Sequence, residues 1–321
     1  MSGYDVPAAE SPKLTIGMPV YNNARTLRRA LTSLLDQSYA SFRLLVSDDG
    51  STDATWQICE EYAERDRRVR CVRQPANLNY GNFRWVLARA DTPYFMFAAG
   101  DDHWHPDFAG RMISALDADP AAVCAVSQVA FASGDDRSSL ARGTRALTGT
   151  PEERIVDFLA GRDDNSRMYG VFRTPVAKRA FPPGNFYAYD WAFSIGTLLE
   201  GTHIEIPELL LWRDLTEPAQ YIEYVRRDAR NSLERVFPLL PLTKDLLERL
   251  AIPRTRSIVR ELARSNVVFH IQYLRRYHPG IARIVEPFVR RAGDPVLSVA
   301  LRFWNRQSSL GRPELTETPG P

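Results

Sequence analysis

Three cysteines are all the sequence has, Cys59, Cys71 and Cys124, an odd number spread far apart with no Cys-x-x-Cys pair. That excludes a disulfide framework and a zinc knuckle, and each thiol reads as a small buried hydrophobe. Lysine is scarce as well: Lys13, Lys178 and Lys244 are the only three of 41 basic residues, so the other 38 are arginine. Net charge is almost lacking. A formal +2 does not mark the molecule as a polyanion binder, and no nucleic-acid partner is expected. Long apolar runs are missing too: Tyr94–Ala99 and Leu209–Trp212 fall far short of the ~20 residues a membrane helix needs. Met1 to Pro12 is polar and without the basic-then-apolar layout of a signal peptide. The chain is therefore expected to work in the cytoplasm, with peripheral attachment at the inner face of the membrane left open. No internal repeat is visible.

What remains is an ordinary globular composition, 44% apolar and 25% charged over 321 residues, long enough for a substantial core. Leu14 to Val20 reads as a buried strand closed by Pro19. Leu27, Ala30, Leu31, Leu34 and Leu35 then recur at the spacing of one buried helix face. Phe42 to Ser47, Val69 to Val72 and Tyr94 to Ala98 are further strands. Between them, Thr52 or Asp53 can cap a helix running to about Arg65, and another helix spans about Tyr80 to Ala90. Strand–helix–strand alternation implies parallel strands joined by right-handed crossovers, with ligands bound beyond their carboxyl ends. The polar clusters fall at those ends: Tyr21-Asn22, Asp48-Asp49 and Asp101-Asp102.

Later segments are less regular. Asp107–Leu116, Pro151–Ala160 and Asp190–Leu199 are helix candidates, and Ala122–Ala130 and Glu208–Arg213 are strand candidates. Ser133 to Thr150 reads as a long loop. From about Pro218 the chain is helical and arginine-rich, with breaks near Pro253 and Pro279, and the tail from about Gln307 reads as disordered.

Adjacent residues on a strand point to opposite faces, but in a turn just beyond its end Asp101 and Asp102 can converge, one on a ribose and one on a metal. Carboxylate oxygen suits Mg²⁺ or Mn²⁺. A Gly-Asp-Asp sequence is equally a common surface turn, and only its place after the strand favours a site. Asp53 reads as a helix cap, whereas Asp49 at the strand end can accept from a nucleobase N–H.

Ile16-Gly17-Met18-Pro19-Val20-Tyr21-Asn22, Val46-Ser47-Asp48-Asp49-Gly50-Ser51-Thr52-Asp53 and Gly100-Asp101-Asp102 together resemble the successive motifs of family 2 glycosyltransferases. The match is good over about 13–110 and looser to about 214. The resemblance implies an α/β chain with the GT-A fold, Rossmann-like: a mixed, mostly parallel sheet flanked by helices, here with a C-terminal helical extension. It implies a disordered 1–12, a nucleotide-sugar (donor) half at 13–110, and an acceptor-binding and catalytic-base half at 111–216. A helical region at 217–306 and a disordered 307–321 complete the chain. The implied activity is inverting transfer from a nucleotide-diphosphate sugar, a UDP- or dTDP-sugar favoured. The acceptor is a hydroxyl of a glycan, a lipid-linked saccharide or a small molecule.

By position, the resemblance assigns Pro19, Tyr21 and Asn22 to the nucleobase, with Asp49 on its edge. Asp101 faces the ribose, and Asp102 holds Mn²⁺ or Mg²⁺. Asn82 or Arg84 reaches the ribose or diphosphate. Ala99 stands where the family commonly has a further acid. Asp190, at the start of an apolar helix, matches the catalytic base, with Asp163-Asp164 as a rival and an N-cap as the plain alternative. Trp104, Tyr169, Tyr187, Tyr189 and Trp191 are either core or ring faces for sugar and acceptor. Where the family often has a late histidine ligand, this chain reads Trp212-Arg213-Asp214. There Asp214 would substitute and Arg213 would touch the diphosphate, with His103 and His203 as other candidate ligands.

From Arg254 to Pro321 there are 12 arginines against 5 acids, a local +7, interleaved with Val289, Phe303 and Trp304. Such helices can lie on an anionic membrane, pack on their own domain with arginines in solvent, or form a homodimer contact. Two other functions stand beside the leading one. A nucleotidyltransferase would share the acidic site, but would want a glycine- and basic-rich loop where Tyr21-Asn22-Asn23-Ala24 stands. A catalytically inactive nucleotide-sugar-binding protein would have no need for all of Asp49, Asp101, Asp102 and Asp190.

Overall fold

The computed structural model describes residues 11–132, 139–161, 164–214 and 229–292. The expected disordered ends, but for Ser11 and Pro12, lie outside these residues, as does Asp163.

The first half is built as its periodicities require. Strands β1 (Leu14–Val20), β2 (Phe42–Asp48), β3 (Val69–Arg73) and β4 (Tyr94–Phe97) alternate with helices α1 (Leu27–Leu35), α2 (Thr55–Arg65) and α3 (Tyr80–Ala88). All four strands are parallel, in the order β3-β2-β1-β4. β1 is sandwiched between β2 and β4, and so is apolar on nearly every residue. Pro19 does not end it: the strand continues to Val20, level with Asp48. Alternate residues of a central parallel strand bond to opposite neighbours, and Ala98 N donates to Gly17 O on the β4 side. β4 stops at Phe97, level with Gly17, so the N–H that Pro19 lacks has no partner to lose.

The second half adds β5 (His103–Trp104), α4 (Phe108–Ala118), β6 (Ala122–Ala132), β7 (Ser139–Leu140), α5 (Pro151–Gly161) and a 3₁₀ turn at Ser166–Tyr169. It continues with β8 (Val171–Arg173), α6 (Thr174–Ala180), α7 (Tyr189–Glu200) and β9 (Thr202–Asp214). The complete sheet has the order β3-β2-β1-β4-β8-β6-β9-β5, with β7 on β6. β6 and β9 run with β1–β4, while β5, β7 and β8 run against them. The loop expected over 133–150 carries β7 and a bridge from Leu147 to His203. C-terminal helices α8 (Ser232–Val236), α9 (Leu240–Glu248), α10 (Arg256–Tyr277) and α11 (Pro279–Ala292) follow. Thr255 caps α10 by accepting from Ile258 N, and the breaks fall near Pro253 and Pro279 as expected.

Two cores cover the two faces of the sheet. On one, Leu27, Ala30, Leu31 and Leu34 of α1 join residues of α2 and α4 over β1 and β2. On the other, α3, α5, α6 and α7 meet around Phe97, Phe172 and Phe193, and α9 and α10 pack on this layer through Leu242, Leu246, Ile258 and Leu262. Each fully buried leucine contributes roughly 2–3 kcal/mol of transfer free energy. No helix among the described residues is long and apolar enough to cross a membrane.

Candidate active site

The loop after β1 is fastened by the loop after β2. Asn22 has φ 52°, a left-handed conformation that asparagine tolerates better than most residues. Four successive amides each donate to a side chain: Tyr21 N to Asn23 Oδ1 (3.0 Å), Asn22 N to Ser51 Oγ (2.9 Å), Asn23 N to Thr55 Oγ1 (2.7 Å) and Ala24 N to Asp53 Oδ2 (3.1 Å). Asn22 Oδ1 returns a bond by accepting from Thr52 N at 2.9 Å. Asp53 also accepts from Thr55 N at the start of α2, as a capping residue would. The Tyr21 ring is left 48% exposed at the rim.

Behind this rim, Asp49 accepts from Leu78 N (2.7 Å) and Asn79 N (2.9 Å), one on each carboxylate oxygen. Each oxygen keeps a second lone pair. Burial raises its pKa, against those two backbone donors. Asp48 is fully buried, bonded to Ser51 and 3.3 Å from Arg73 Nε, so it serves the loop.

The turn after β4 is held by α1: Thr26 Oγ1 donates to Gly100 O (2.8 Å) and Arg29 Nη2 to Asp101 O (2.6 Å). A Cβ on Gly100 would meet the Asn23 side chain at 3.0 Å, so the two loops touch here. Asp102 is only 1% exposed. Its carboxylate accepts from Arg213 Nε at 3.3 Å and Asp214 N at 3.2 Å, because β5 pairs with the end of β9. Burial pushes its pKa up to about 7, with Arg213 opposing and Asp101 reinforcing. Asp101 is also raised by burial. The Arg213 guanidinium lies 4.3 Å from the Tyr169 ring centroid and donates to Ser166 Oγ at 3.2 Å.

Asp190 is the second residue of α7, following Ala188 at φ 63°. Its Oδ2 accepts from Asn165 Nδ2 at 3.0 Å, and Asn165 Oδ1 accepts from Ser194 Oγ at 3.0 Å. Burial raises the Asp190 pKa, opposed first by the Asn165 bond and, more weakly, by the charge of Arg213. Arg213 thus acts on Asp101, Asp102 and Asp190 together. Neighbours Ser166 and Asn165 complete a bonded bridge from Asp102 through Arg213 to Asp190.

The family model described as Glycosyl transferase family 2 matches residues 15–179, just over half of the chain, a span that holds Asp49, Asp101 and Asp102 and ends before Asp190 and Arg213. The protein belongs to family 2 of the glycosyl transferases. A curated relative of this family 2 chain, Glycosyltransferase GlyA of Streptococcus pneumoniae, is 42% identical over 62 residues, 19% of this chain and 9% of that protein. The chain spans well under half the length of the first curated relatives it matches. Among solved structures, S. aureus TarS 1-349 in complex with UDP-GlcNAc superposes with a TM-score of 0.53 at 16% identity, covering 81% of each chain. Mannosyltransferase PcManGT from Pyrobaculum calidifontis, in complex with GDP-Man and Mn²⁺, gives 0.53 at 16% identity, over 95% of this chain and 82% of that one. These likenesses are of fold, and the fold is GT-A.

Several expected site residues of this family 2 protein lie elsewhere. Asn82 is buried, its Oδ1 accepting from Ser47 Oγ (2.6 Å) and its Nδ2 donating to Ser47 O (2.9 Å), so it braces β2. Arg84 is exposed on α3 and makes no hydrogen bond to the acidic cluster among the described residues. Trp104 is core beneath β5, and Trp191 packs edge-on to Phe158 and Phe269, so neither ring faces the site. Tyr189 is likewise packed, on Tyr80 and Phe83. His103 stacks on Trp212. His203 is fully buried: Arg167 can only donate to Nδ1, at 3.2 Å, so Nε2 carries the proton toward Thr197 Oγ1 at 2.9 Å. Burial holds it well below the usual histidine pKa, neutral and structural. Asp164, the described half of the rival pair, accepts from Arg142 N, Gly143 N and Ser166 and closes a loop. Asn165, Ser166 and Ser194 went unread in the sequence, being uncharged and 25 or more residues from their partners.

Among the described residues no three His, Cys, Asp or Glu side chains gather as a metal cage. The donors present are oxygens of Asp102, a buried carboxylate that one arginine only partly neutralises, and of Asp214, whose amide bonds to it. That donor set fits a hard divalent cation completed by waters and substrate phosphates.

Proposed function

We propose that the protein is an inverting glycosyltransferase moving a sugar from a nucleotide-diphosphate sugar, UDP- or dTDP-linked by preference, to a hydroxyl of a glycan, lipid-linked saccharide or small molecule. The observation that carries this reading is the bridge Asp102–Arg213–Ser166–Asn165–Asp190. It joins a cationic, oxygen-rich locus suited to a leaving diphosphate with a carboxylate suited to take a proton. Pro19 and Tyr21 line the nucleobase, Asp49 accepts from its edge and Asp101 from the ribose. Asn22 shapes this wall from within. The acceptor oxygen bonds to the anomeric carbon as the bond to the diphosphate oxygen breaks. The electron pair leaves with the diphosphate and the proton passes to Asp190. Arg213 donates to the diphosphate from its place over Tyr169. Asp102, with Asp214 in the place of the late histidine, would hold Mn²⁺ or Mg²⁺, which when bound would supply positive charge to the departing oxygens.

The nucleotidyltransferase reading loses support from the loop after β1. All four amides of Tyr21 to Ala24 donate to the protein's own side chains, leaving none to cradle a triphosphate. The two structures of like fold hold different donors, UDP-GlcNAc and GDP-Man, so the fold by itself does not select the base. A scaffold without catalysis would show no donor hydrolysis when the cation is added. Calorimetry with UDP, dTDP and GDP, with and without Mn²⁺, tests the donor site on wild type and Asp102→Ala. Binding of one nucleotide that needs both cation and Asp102 is expected; no binding to any by the folded protein would overturn the assignment.

On the helical extension, Ile281 and Ile284 of α11 are 50% and 67% exposed beside Arg283. With the local +7, that face suits an anionic lipid surface, where a lipid-linked acceptor would be met.

A further inference from the structure

Asn165 immediately precedes the 3₁₀ turn, a place where asparagine ordinarily bonds back to the turn's own amides. It makes no such side-chain bond. Its amide reaches instead across to α7, donating from Nδ2 to Asp190 Oδ2 at 3.0 Å and accepting at Oδ1 from Ser194 Oγ at 3.0 Å. The orientation is dictated at both ends. An ionised carboxylate only accepts, so Nδ2 must face Asp190; the serine hydroxyl then donates to Oδ1. Asp190 and Ser194 are four residues apart on one helix face, so the amide plane spans the first turn of α7 like a strut.

The strut is itself anchored in the buried interior. The Ser194 carbonyl accepts from Thr197 Oγ1 at 2.8 Å, Thr197 Oγ1 meets His203 Nε2 at 2.9 Å, and His203 Nδ1 accepts from the buried Arg167. Ser194, Thr197 and His203 are fully buried, and none of these groups has freedom to rotate away. On its other side Asn165 adjoins Ser166, which holds Arg213.

We infer that Asn165 is the positioning residue of this site, orienting the Asp190 carboxylate toward the acceptor and keeping it ionised, with Ser194 fixing the direction of the amide. This rests on the reading of Asp190 as the base. The asparagine touches no reacting atom. It acts by making one carboxylate oxygen a settled acceptor and leaving the other directed at the substrate. It also links base position to Arg213 through a single peptide bond, so donor and acceptor ends share one rigid element.

The experiment compares kcat, donor KM and the kcat–pH profile of wild type, Asn165→Ala, Asn165→Asp and Ser194→Ala, with nucleotide binding as the check on folding. Removing one hydrogen bond to a charged group allows a kcat loss of about ten- to a hundred-fold. That loss is expected for Asn165→Ala, with donor KM and nucleotide binding unchanged and the acidic limb moved to higher pH. Asn165→Asp preserves the shape and places a carboxylate against a carboxylate, so its acidic limb moves further in the same direction. Ser194→Ala gives a smaller effect of the same sign. Asp190→Asn separates the two claims. If it is inactive while both Asn165 variants keep wild-type kcat and pH profile, the positioning role is overturned and the base reading stands. If Asp190→Asn retains activity, the base reading falls and the inference with it.

Discussion

Arg213 donates its Nε–H to Asp102 Oδ2 at 3.3 Å, so the cation of the site rests on the carboxylate proposed to hold a metal. A diphosphate arriving with its own cation would offer both residues better partners. Arg213→Ala is expected to weaken nucleoside-diphosphate binding about ten-fold or more, and monophosphate binding much less. Arg213→Lys recovers only part, because an ammonium has neither the fork that spans Asp102 and Ser166 nor the flat face over Tyr169. Calorimetry with the two ligands decides, and equal losses for both would place Arg213 away from the diphosphate.

Burial raises the Asp190 pKa, with a sign that differs for catalysis and stability. As the proposed base, Asp190 must be ionised, so kcat is expected to fall as pH drops through a value above the ordinary carboxylate range of about 4. A carboxylate whose pKa is higher folded than unfolded binds more protons in the folded state. Its contribution to stability is complete below the unfolded pKa and is lost as pH rises through the folded one. Asp190→Asn should therefore abolish turnover, melt higher than wild type at neutral pH, and lose that advantage in acid. A pH series of melting curves beside the rate profile tests both halves.

His203 accepts from Arg167, whose guanidinium is 1% exposed with its pKa lowered to about 10 by burial. His203→Ala would leave that charge without its acceptor inside the core. The expected cost is about 3 kcal/mol of unfolding free energy, read by denaturant titration. The cation dependence of nucleotide binding by the folded variant should be unchanged, which would separate this histidine from a ligand.

On α11, Ile281→Ser with Ile284→Ser removes the exposed apolar pair without touching the core. Sedimentation with vesicles containing anionic lipid should show retention of wild type, loss in the double variant, and loss of both at high salt. No retention of the wild type would send the helix back to a solvent-facing or homodimer role.

The four parallel strands and their helices were legible because short apolar runs bounded by turn residues are what β1, β2 and β4 must be when buried on both faces, and β3 follows as the edge strand after α2. β8 and α6 were not. Three residues, Val171 to Arg173, show no period, and their antiparallel place between β4 and β6 depends on contacts distant in sequence. The acids were found because charge at a strand end is conspicuous. Asn82 and Trp191 were left open between two readings for one reason. A sequence displays polar and aromatic groups but not what the fold sets against them, and here Ser47 bonds Asn82 while Phe158 and Phe269 pack on Trp191. Asn165 lay in plain view in its turn, yet its worth comes wholly from Asp190, 25 residues away.

Three amides of the loop after β1 tied to Ser51, Asp53 and Thr55, and a fourth tied within that loop, set the shape of the proposed nucleoside end of the site. Little backbone freedom remains there to be lost on binding, so base choice is a matter of fit to a preset mould rather than of closure around the guest. Ser51→Ala or Thr55→Val, each releasing one tie, should therefore blur the preference among uracil, thymine and guanine nucleotides while leaving the rate on the best donor nearly intact. Donor fidelity in this enzyme would be written in residues that never touch the donor.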